Sequence, residues 1–293
     1  MTAFAINLQR NSAIVASDSL AYIPDRKQVV PLGFITKTIP LPQHRAVLLS
    51  RGQQDITVRA TMMVQMRPEL WSIEDLARAL PPVLQDVTAD YCYEHDIDDP
   101  LGVGLLEAVL LGWSAEKRRM RLWQFLNYRD YVAEDAGEMY GVHAFPRLPP
   151  RYMPRVTGAA TDKTLVEIIQ AAGRYFEDDP VTNCGMRVGG EVVSTEISEH
   201  GMTHRVLHRF ADYDRVRTAS SAIVARIERG DMDVDGIVAE GLVPIGDVVD
   251  SETGQPLSEA ASTAPRVPEV LQGMTRQQRR AAEREAAKGR RAA

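Results

Sequence analysis

The amino-acid sequence predicts a layered α+β protein in which helices cover paired antiparallel sheets. Two observations support this prediction. Short apolar runs bounded by turn residues, which are typical of strands, occur within 2–51, 101–128 and 184–210. Helix-length segments with an apolar face separate these groups of strands, at 53–93 and 161–179. Strands and helices that occur in such separate groups are typical of α+β folds.

Four short strands are predicted before residue 51. TAFAINLQ and SAIVASDS are separated by Arg10 and Asn11, which are typical of a hairpin turn. FITKTIPL and RAVLLS supply the third and fourth strands, and the proline-containing segment 22–31 is expected to be a loop. Short consecutive strands of this kind predict an antiparallel sheet.

Two helices are predicted next. The first, at 53–66, is expected to be buried because of its apolar residues, Ile56, Val58, Ala60, Met62, Met63 and Met66. The second begins after Ser72, since Ser72 and Asp75 form a capping pattern. It is expected to continue to Tyr93, with a kink or a break at Pro81 and Pro82.

The remaining elements repeat this alternation. LGVGLLEAVLLGW and RMRLWQFLNY are predicted to be paired strands, and 145–157, with four prolines, is predicted to be an irregular loop. TDKTLVEIIQAAGRYFEDD is an amphipathic helix whose apolar face contains Leu165, Ile168, Ile169, Ala172 and Phe176. CGMRVGGEVVSTEIS and THRVLHRF are predicted to be two further strands joined by a turn.

The composition is that of a globular protein and argues against several classes. Of the 293 residues 44% are hydrophobic, and the net charge of −6 argues against a protein that binds nucleic acid over its whole surface. No segment approaches the roughly 20 apolar residues of a membrane-spanning helix, so no membrane partner is expected. There are two cysteines, Cys92 and Cys184, and the N-terminus lacks the features of a signal peptide. We therefore expect a cytoplasmic protein.

The C-terminal third is predicted to lie outside the main domain. A helical extension is expected at 211–243, and 244–273 is rich in Pro, Gly, Ser and Thr, as flexible linkers are. The tail 274–293 is an alanine-rich helix former with seven Lys or Arg and two Glu, a net charge of +5. Such a tail either binds an acidic partner or nucleic acid, or is a solvated extension without a partner.

The chain begins Met-Thr, so removal of Met1 would leave Thr2 as a free N-terminal residue. An N-terminal threonine carries both a nucleophile and a base, because its α-amine can accept the proton of its own hydroxyl. A second unusual feature is Asp18, an acid that ends the apolar run SAIVASDS.

The order and spacing of Thr2, Asp18, Lys37 and the segment Ser50-Arg51-Gly52 resemble the proteasome β-subunit branch of the N-terminal-nucleophile (Ntn) hydrolases. In that family an aspartate follows the nucleophile by sixteen residues, as Asp18 follows Thr2 here. LGVGLLEAVLLGW is similar to the family's G-V-G-L-L strand, and CGMRVGGEVVSTEIS is similar to its V-G-G region. The resemblance covers residues 2–210.

The resemblance implies a four-layer αββα sandwich of the Ntn-hydrolase type, with a C-terminal extension. It also implies a threonine-type amide hydrolase, a peptidase that acts on peptides or proteins as a homo-oligomer of rings or stacks. Thr2 would be the nucleophile, Lys37 the cation beside its hydroxyl, Asp18 the counter-ion of Lys37, and the Gly52 N–H a donor to the oxyanion. No cofactor and no metal are expected.

A different function stays open, that of an inactive proteasome-like structural or assembly subunit, for example of a phage or mobile element. Active members of the family add a serine in a loop before the third helix, whereas VHAFPRLPPRYMPRV contains none. They also add an Asp and a Ser where Gly185 and Val188 stand. Separately, Asp18 could cap a turn, Lys37 could protect an edge strand, and Gly52 could serve a helix entry.

Three histidines, His200, His204 and His208, are spaced at intervals of four residues. On a helix this spacing would form a metal-binding face. Gly201 and Thr203 instead favour a turn followed by a strand. The local pattern therefore favours histidines that lie on a strand and face solvent over a metal site.

Overall fold

The computed structural model describes residues 3–25, 28–99, 106–136, 140–155, 160–178, 187–211 and 213–229, without side-chain surroundings for 23–32 and 227. The chain divides into two units, Met1–Ile245 and Gly246–Ala293. The second unit, and with it the predicted tail at 274–293, lies outside the described residues, as do 230–243 and the predicted linker at 244–273.

The described residues form a mixed α/β structure of twelve strands and four α-helices. The strands are β1 (Phe4–Leu8), β2 (Ser12–Asp18), β3 (Leu20–Asp25), β4 (Gln28–Phe34), β5 (Thr38–Leu41), β6 (Ala46–Arg51), β7 (Glu107–Ser114), β8 (Arg119–Leu126), β9 (Glu134–Asp135), β10 (Gly141–Phe145), β11 (Glu191–Ser198) and β12 (Gly201–Arg209). The helices are α1 (Gln54–Gln65), α2 (Ile73–Glu94), α3 (Asp162–Asp178) and α4 (Tyr213–Glu228).

The strands form two five-stranded antiparallel sheets. In the first sheet the order is β10-β1-β2-β11-β12, and in the second sheet it is β5-β6-β7-β8-β9. Strands β3 and β4 pair with each other in a separate two-stranded sheet. The predicted hairpin of β1 and β2 is confirmed, with Phe4 opposite Ser17 and Leu8 opposite Ala13.

Three clusters of buried apolar side chains hold these elements together. One combines α1 and α2 with the second sheet, and another combines α3 with the first sheet. The third cluster, here called the inter-sheet cluster, combines residues of both sheets: Phe4, Ile6, Leu8, Ala13, Val15, Val47, Leu49, Val109, Leu111, Trp113, Met120, Leu122 and Ile197. Alternation along each strand explains this arrangement, because neighbouring side chains point to opposite faces of a sheet.

The helix α3 agrees with its sequence pattern, since Leu165, Ile168, Ile169, Ala172 and Phe176 are all buried. The helix α2 begins at the predicted cap, where Ser72 and Asp75 form a reciprocal capping box. The break expected at Pro81 and Pro82 is absent, because α2 continues through both prolines as one helix. Its continuous buried face, which includes Leu80, Val83 and Leu84, offsets the hydrogen bonds that two prolines remove.

Two predictions for the N-terminal region are wrong. The segment 22–31, predicted to be a loop because of its prolines, contributes to β3 and β4. A two-stranded sheet has only edge strands, and edge strands tolerate proline. The predicted strand at 34–41 is divided, since β4 ends at Phe34 and β5 begins at Thr38. Lys37 therefore lies immediately before β5.

The helix α1 is only half buried, contrary to the expectation for 53–66. Ile56, Ala60 and Val64 are buried, whereas the three methionines are exposed: Met62, Met63 and Met66. The helix packs on one side against α2 and the second sheet, so that its other side faces outward. Within the described part of the chain, no helix has both the length and the apolar character needed to cross a membrane.

Candidate functional site

The carboxylate of Asp18 is the centre of a buried polar site at the end of β2. Its Oδ2 accepts a hydrogen bond from Lys37 Nζ at 2.8 Å, and its Oδ1 accepts one from the Ala3 N–H at 3.0 Å. The Gly189 N–H lies 3.5 Å from Oδ2, at the outer limit of hydrogen bonding. The side chain is 0% exposed. Donors on both oxygens compensate the carboxylate for the water that it loses on burial.

Lys37 reaches Asp18 from the segment immediately before β5 of the second sheet. Its side chain is 3% exposed. Burial lowers the pKa of Lys37, and the charge and hydrogen bond of Asp18 oppose that shift. Next to Lys37, Thr38 of β5 brings its hydroxyl to 3.5 Å from that of Ser17 in β2. The polar contacts therefore join the two sheets at this end.

Gly189 and Gly190 form the wall of the site beside Asp18. A Cβ on Gly190, whose φ is +78°, would come within 2.6 Å of Ser19 Oγ and 2.7 Å of a ring carbon of Phe34. Ser19 Oγ in turn accepts a hydrogen bond from the Glu191 N–H at 2.8 Å. Only glycine fits this close approach between the start of β11 and the chain that follows β2.

Tyr22 contacts the segment that leads into Gly189 and Gly190. Its hydroxyl accepts a hydrogen bond from the Arg187 N–H at 2.8 Å. Burial raises the pKa of Tyr22 to about 12, and the negative charge of Asp18 acts in the same direction. Tyr22 is therefore a neutral phenol at physiological pH. The sequence pattern does not indicate Tyr22 as a site residue, because its segment is predicted to be a loop.

Gly52 lies where β6 passes into α1, and its φ of +106° explains why a glycine occupies this turn. Thr38 of β5 pairs with Leu49 of β6, so the antiparallel register places Lys37 and Gly52 at the same end of the second sheet. Among the described residues, no hydrogen bond engages the Gly52 N–H.

A second buried ion pair adjoins Gly52. Arg51 Nη1 lies 2.7 Å from Glu107 Oε2, and both side chains are almost fully buried. The other carboxylate oxygen, Glu107 Oε1, accepts a hydrogen bond from Gln124 Nε2. The sequence contained a signal for this pair, since Glu107 is an acid within the apolar run LGVGLLEAVLLGW.

The structure thus brings two of the predicted site residues, Asp18 and Lys37, into direct contact. Thr2 lies outside the described residues, as does Gly185. Because Lys37 is buried, it does not act as a solvent-facing guard of the edge strand β5. Val188 packs its apolar side chain against the cluster around α3.

The histidines have separate hydrogen-bond partners. His204 Nδ1 lies 2.9 Å from Thr195 Oγ1, and His208 Nε2 lies 3.2 Å from the amide nitrogen of Gln170. His200 is 85% exposed, in the turn before β12. Within the described ranges, no group of three or more His, Cys, Asp or Glu side chains is arranged to hold a metal ion.

No protein-family model matches the sequence, and no curated protein matches it. Solved structures of proteins named Anbu are similar to the chain. The ancestral β-subunit Anbu from Yersinia bercovieri has 13% identity and a TM-score of 0.48, over 78% of this chain and 95% of that chain.

The Gly-1 mutant of Anbu from Hyphomicrobium sp. strain MC1 has 16% identity and a TM-score of 0.43, over 80% of this chain and 99% of that chain. A helical assembly of the Anbu complex from Pseudomonas aeruginosa has 14% identity and a TM-score of 0.48, over 78% and 96% of the respective chains.

Proposed function

We propose that this protein is a threonine-type Ntn amide hydrolase, a peptidase whose nucleophile is Thr2 after removal of Met1. The observation that carries the proposal is the carboxylate of Asp18, which binds Lys37 and the Ala3 N–H at once. That N–H belongs to the peptide bond between Thr2 and Ala3. Asp18 therefore holds the lysine and the peptide group of the candidate nucleophile on the same side chain.

Each group has a chemical role in this proposal. The Thr2 hydroxyl oxygen attacks the carbonyl carbon of a substrate amide, and its proton passes to the free α-amine. The amide C–N bond then breaks, the leaving amine takes that proton, and water hydrolyses the acyl ester that remains on Thr2. The Lys37 cation stabilises the negative charge that develops near the hydroxyl. Burial favours loss of the Lys37 proton, and the negative charge of Asp18 opposes that loss.

The Gly52 N–H is the proposed donor to the oxyanion. Its lack of a partner among the described residues supports this role, as does its position at the Lys37 end of the second sheet. One such donor typically contributes about 3 kcal/mol of transition-state stabilisation. The same glycine also serves the entry into α1, and the two roles are compatible.

We further propose that the main domain is the four-layer αββα sandwich of the Ntn type. The three buried clusters, which join helices to each sheet and the two sheets to each other, support this architecture. Self-association into a ring or stacked homo-oligomer is part of the same proposal. Sedimentation analysis of the purified chain tests it, and a monomer at micromolar concentration would contradict it.

Intact mass spectrometry and covalent labelling test the reaction. We expect the native chain to lack Met1 and to react with an electrophile that traps N-terminal threonine. The Thr2→Ala variant should not react, whereas a control variant of an exposed threonine, Thr203→Ala, should react normally. A chain that keeps Met1 has no free amine at Thr2 and would refute the proposed mechanism.

A second candidate function is that of an inactive proteasome-like structural or assembly subunit. The observation that favours it is Val188, which the family resemblance aligns with a serine that supports the site. Its side chain instead packs in an apolar cluster. A chain that forms oligomers, keeps Met1 and is not labelled would support this candidate.

A further inference from the structure

We propose that the buried pair of Arg51 and Glu107 positions the Gly52 peptide, so that its N–H faces the reacting carbonyl oxygen. Both are therefore positioning residues that act through Gly52. This inference rests on the function proposed above and extends it to residues that carry no part of the reaction themselves.

The pair spans neighbouring strands at the end of the second sheet. Arg51 is the last residue of β6 and Glu107 the first residue of β7, and they are register partners. Arg51 Nη1 donates to Glu107 Oε2 at 2.7 Å, and Gln124 of β8 donates to Glu107 Oε1. A chain of polar contacts therefore fixes the Arg51 side chain across three strands.

The residues before Gly52 are held on both faces of the sheet. Because side chains alternate along a strand, Arg51 lies on the same face of β6 as Leu49, which belongs to the inter-sheet cluster. Ser50 lies on the opposite face with Leu48, which packs against the helices. On that side Ser50 Oγ donates to Gln54 Oε1, in the first turn of α1, at 3.1 Å.

The backbone of a glycine such as Gly52 needs restraint by its neighbours more than the backbone of any other residue type. Glycine has the largest range of backbone conformations, and at a φ of +106° no side chain of its own limits it. The orientation of the Gly52 N–H therefore depends on how firmly its neighbours are held. An N–H that donates to an oxyanion must already point to it before the reaction.

Stability alone does not account for the pair. Removing two charges from water is costly, and a well-packed apolar pair of similar volume is often as stable. Among the described residues, buried Arg51 Nε has no hydrogen-bond partner. A pair that contributes little net stability but fixes one peptide group is consistent with a positioning role.

Two variants of the full chain separate positioning from stability. Arg51→Met with Glu107→Leu removes both charges and leaves none unpaired, so its thermal midpoint should stay near that of the wild type. Its kcat should fall roughly 10- to 100-fold with KM nearly unchanged, because only the oxyanion contact is misplaced. Glu107→Gln keeps an acceptor for Arg51 but leaves a buried charge uncompensated. Glu107→Gln should therefore have a lower thermal midpoint than the wild type. Its kcat should nevertheless stay within roughly threefold of the wild-type kcat, unlike that of the double variant.

The matched control is Arg59→Met with Glu94→Leu. This pair has the same chemistry and the same 2.7 Å separation, but it is exposed and joins α1 to α2. It should leave kcat and the crystal position of Gly52 unchanged. A kcat that simply follows thermal stability across the three variants would overturn the positioning role.

Crystal structures of the wild type and the three variants provide a readout that does not need activity. In the Arg51→Met, Glu107→Leu double variant, the Gly52 nitrogen should move by about 1 Å or more, a misplacement large enough to impair catalysis. A Gly52 peptide that superimposes on the wild type in that variant overturns the inference, whatever the activity. If the wild type is neither active nor labelled at Thr2, the proposed function fails, and the crystal structures alone decide whether the pair positions Gly52.

Discussion

The ion pair of Asp18 and Lys37 can be tested by replacing Asp18 with asparagine. The substitution keeps the shape of the side chain but removes its charge, so that the buried Lys37 loses its counter-ion 2.8 Å away. Breaking a buried pair by removing one partner costs about 3–5 kcal/mol. For a domain of this size that corresponds to a fall of about 6–20 °C in Tm.

The measurement is the free energy of unfolding from urea titrations followed by circular dichroism, together with Tm. Asp18→Asn with Lys37→Met removes both charges and should recover most of the loss. The control is Glu167→Gln, which breaks an exposed pair in α3 with a separation of 3.9 Å. It should cost less than about 0.5 kcal/mol.

A loss below about 1 kcal/mol in Asp18→Asn would show that the lysine does not depend on this carboxylate. A double variant that is less stable than Asp18→Asn itself would refute the reasoning in another way. It would mean that the Lys37 side chain contributes through packing rather than through its charge.

Three further predictions concern activity, packing and the tail. Burial lowers the pKa of Lys37, so turnover that needs the Lys37 cation should fall with rising pH at a lower pH than that at which an ordinary lysine titrates. Because Asp18 opposes the shift, a pH–rate profile of Asp18→Asn should show this fall at a still lower pH. Gly190→Ala should cost about 2–3 kcal/mol in the free energy of unfolding, from its positive φ and its contact with Ser19; an alanine variant of equal stability would contradict the close approach. We propose that 274–293 is separable from the main domain, so that its deletion should leave Tm unchanged within about 2 °C, because it contains few large apolar side chains, and a larger fall in a thermal melt would refute this.

Local patterns predicted most of the regular elements because they depend on short-range properties. Apolar periodicity located α3, and the capping residues Ser72 and Asp75 located the start of α2. The β3 and β4 hairpin is not predicted from the sequence, because Pro24 and Pro31 are typical of a loop. Proline is excluded only from paired positions in the middle of a sheet, and pairing partners are not visible in a single sequence.

The candidate site could be predicted in part for the same reason. Asp18 is visible in the sequence as an acid at the end of an apolar strand, and the resemblance to the proteasome β-subunit branch indicates Lys37 as its partner. The pair of Arg51 and Glu107 is separated by 56 residues, and only the register of β6 and β7 brings it together. Pairing of that kind depends on the assembled sheet rather than on local sequence.

The contact between Asp18 and Lys37 also has a consequence for when the chain becomes chemically competent. Asp18 ends a strand of the first sheet, and Lys37 immediately precedes a strand of the second sheet. A partly folded chain with only one sheet assembled would therefore have no cation beside the carboxylate that binds the Ala3 N–H. If Thr2 is a nucleophile, a nascent or misfolded copy is harmless to its surroundings, because reactivity arises only once the whole domain has closed.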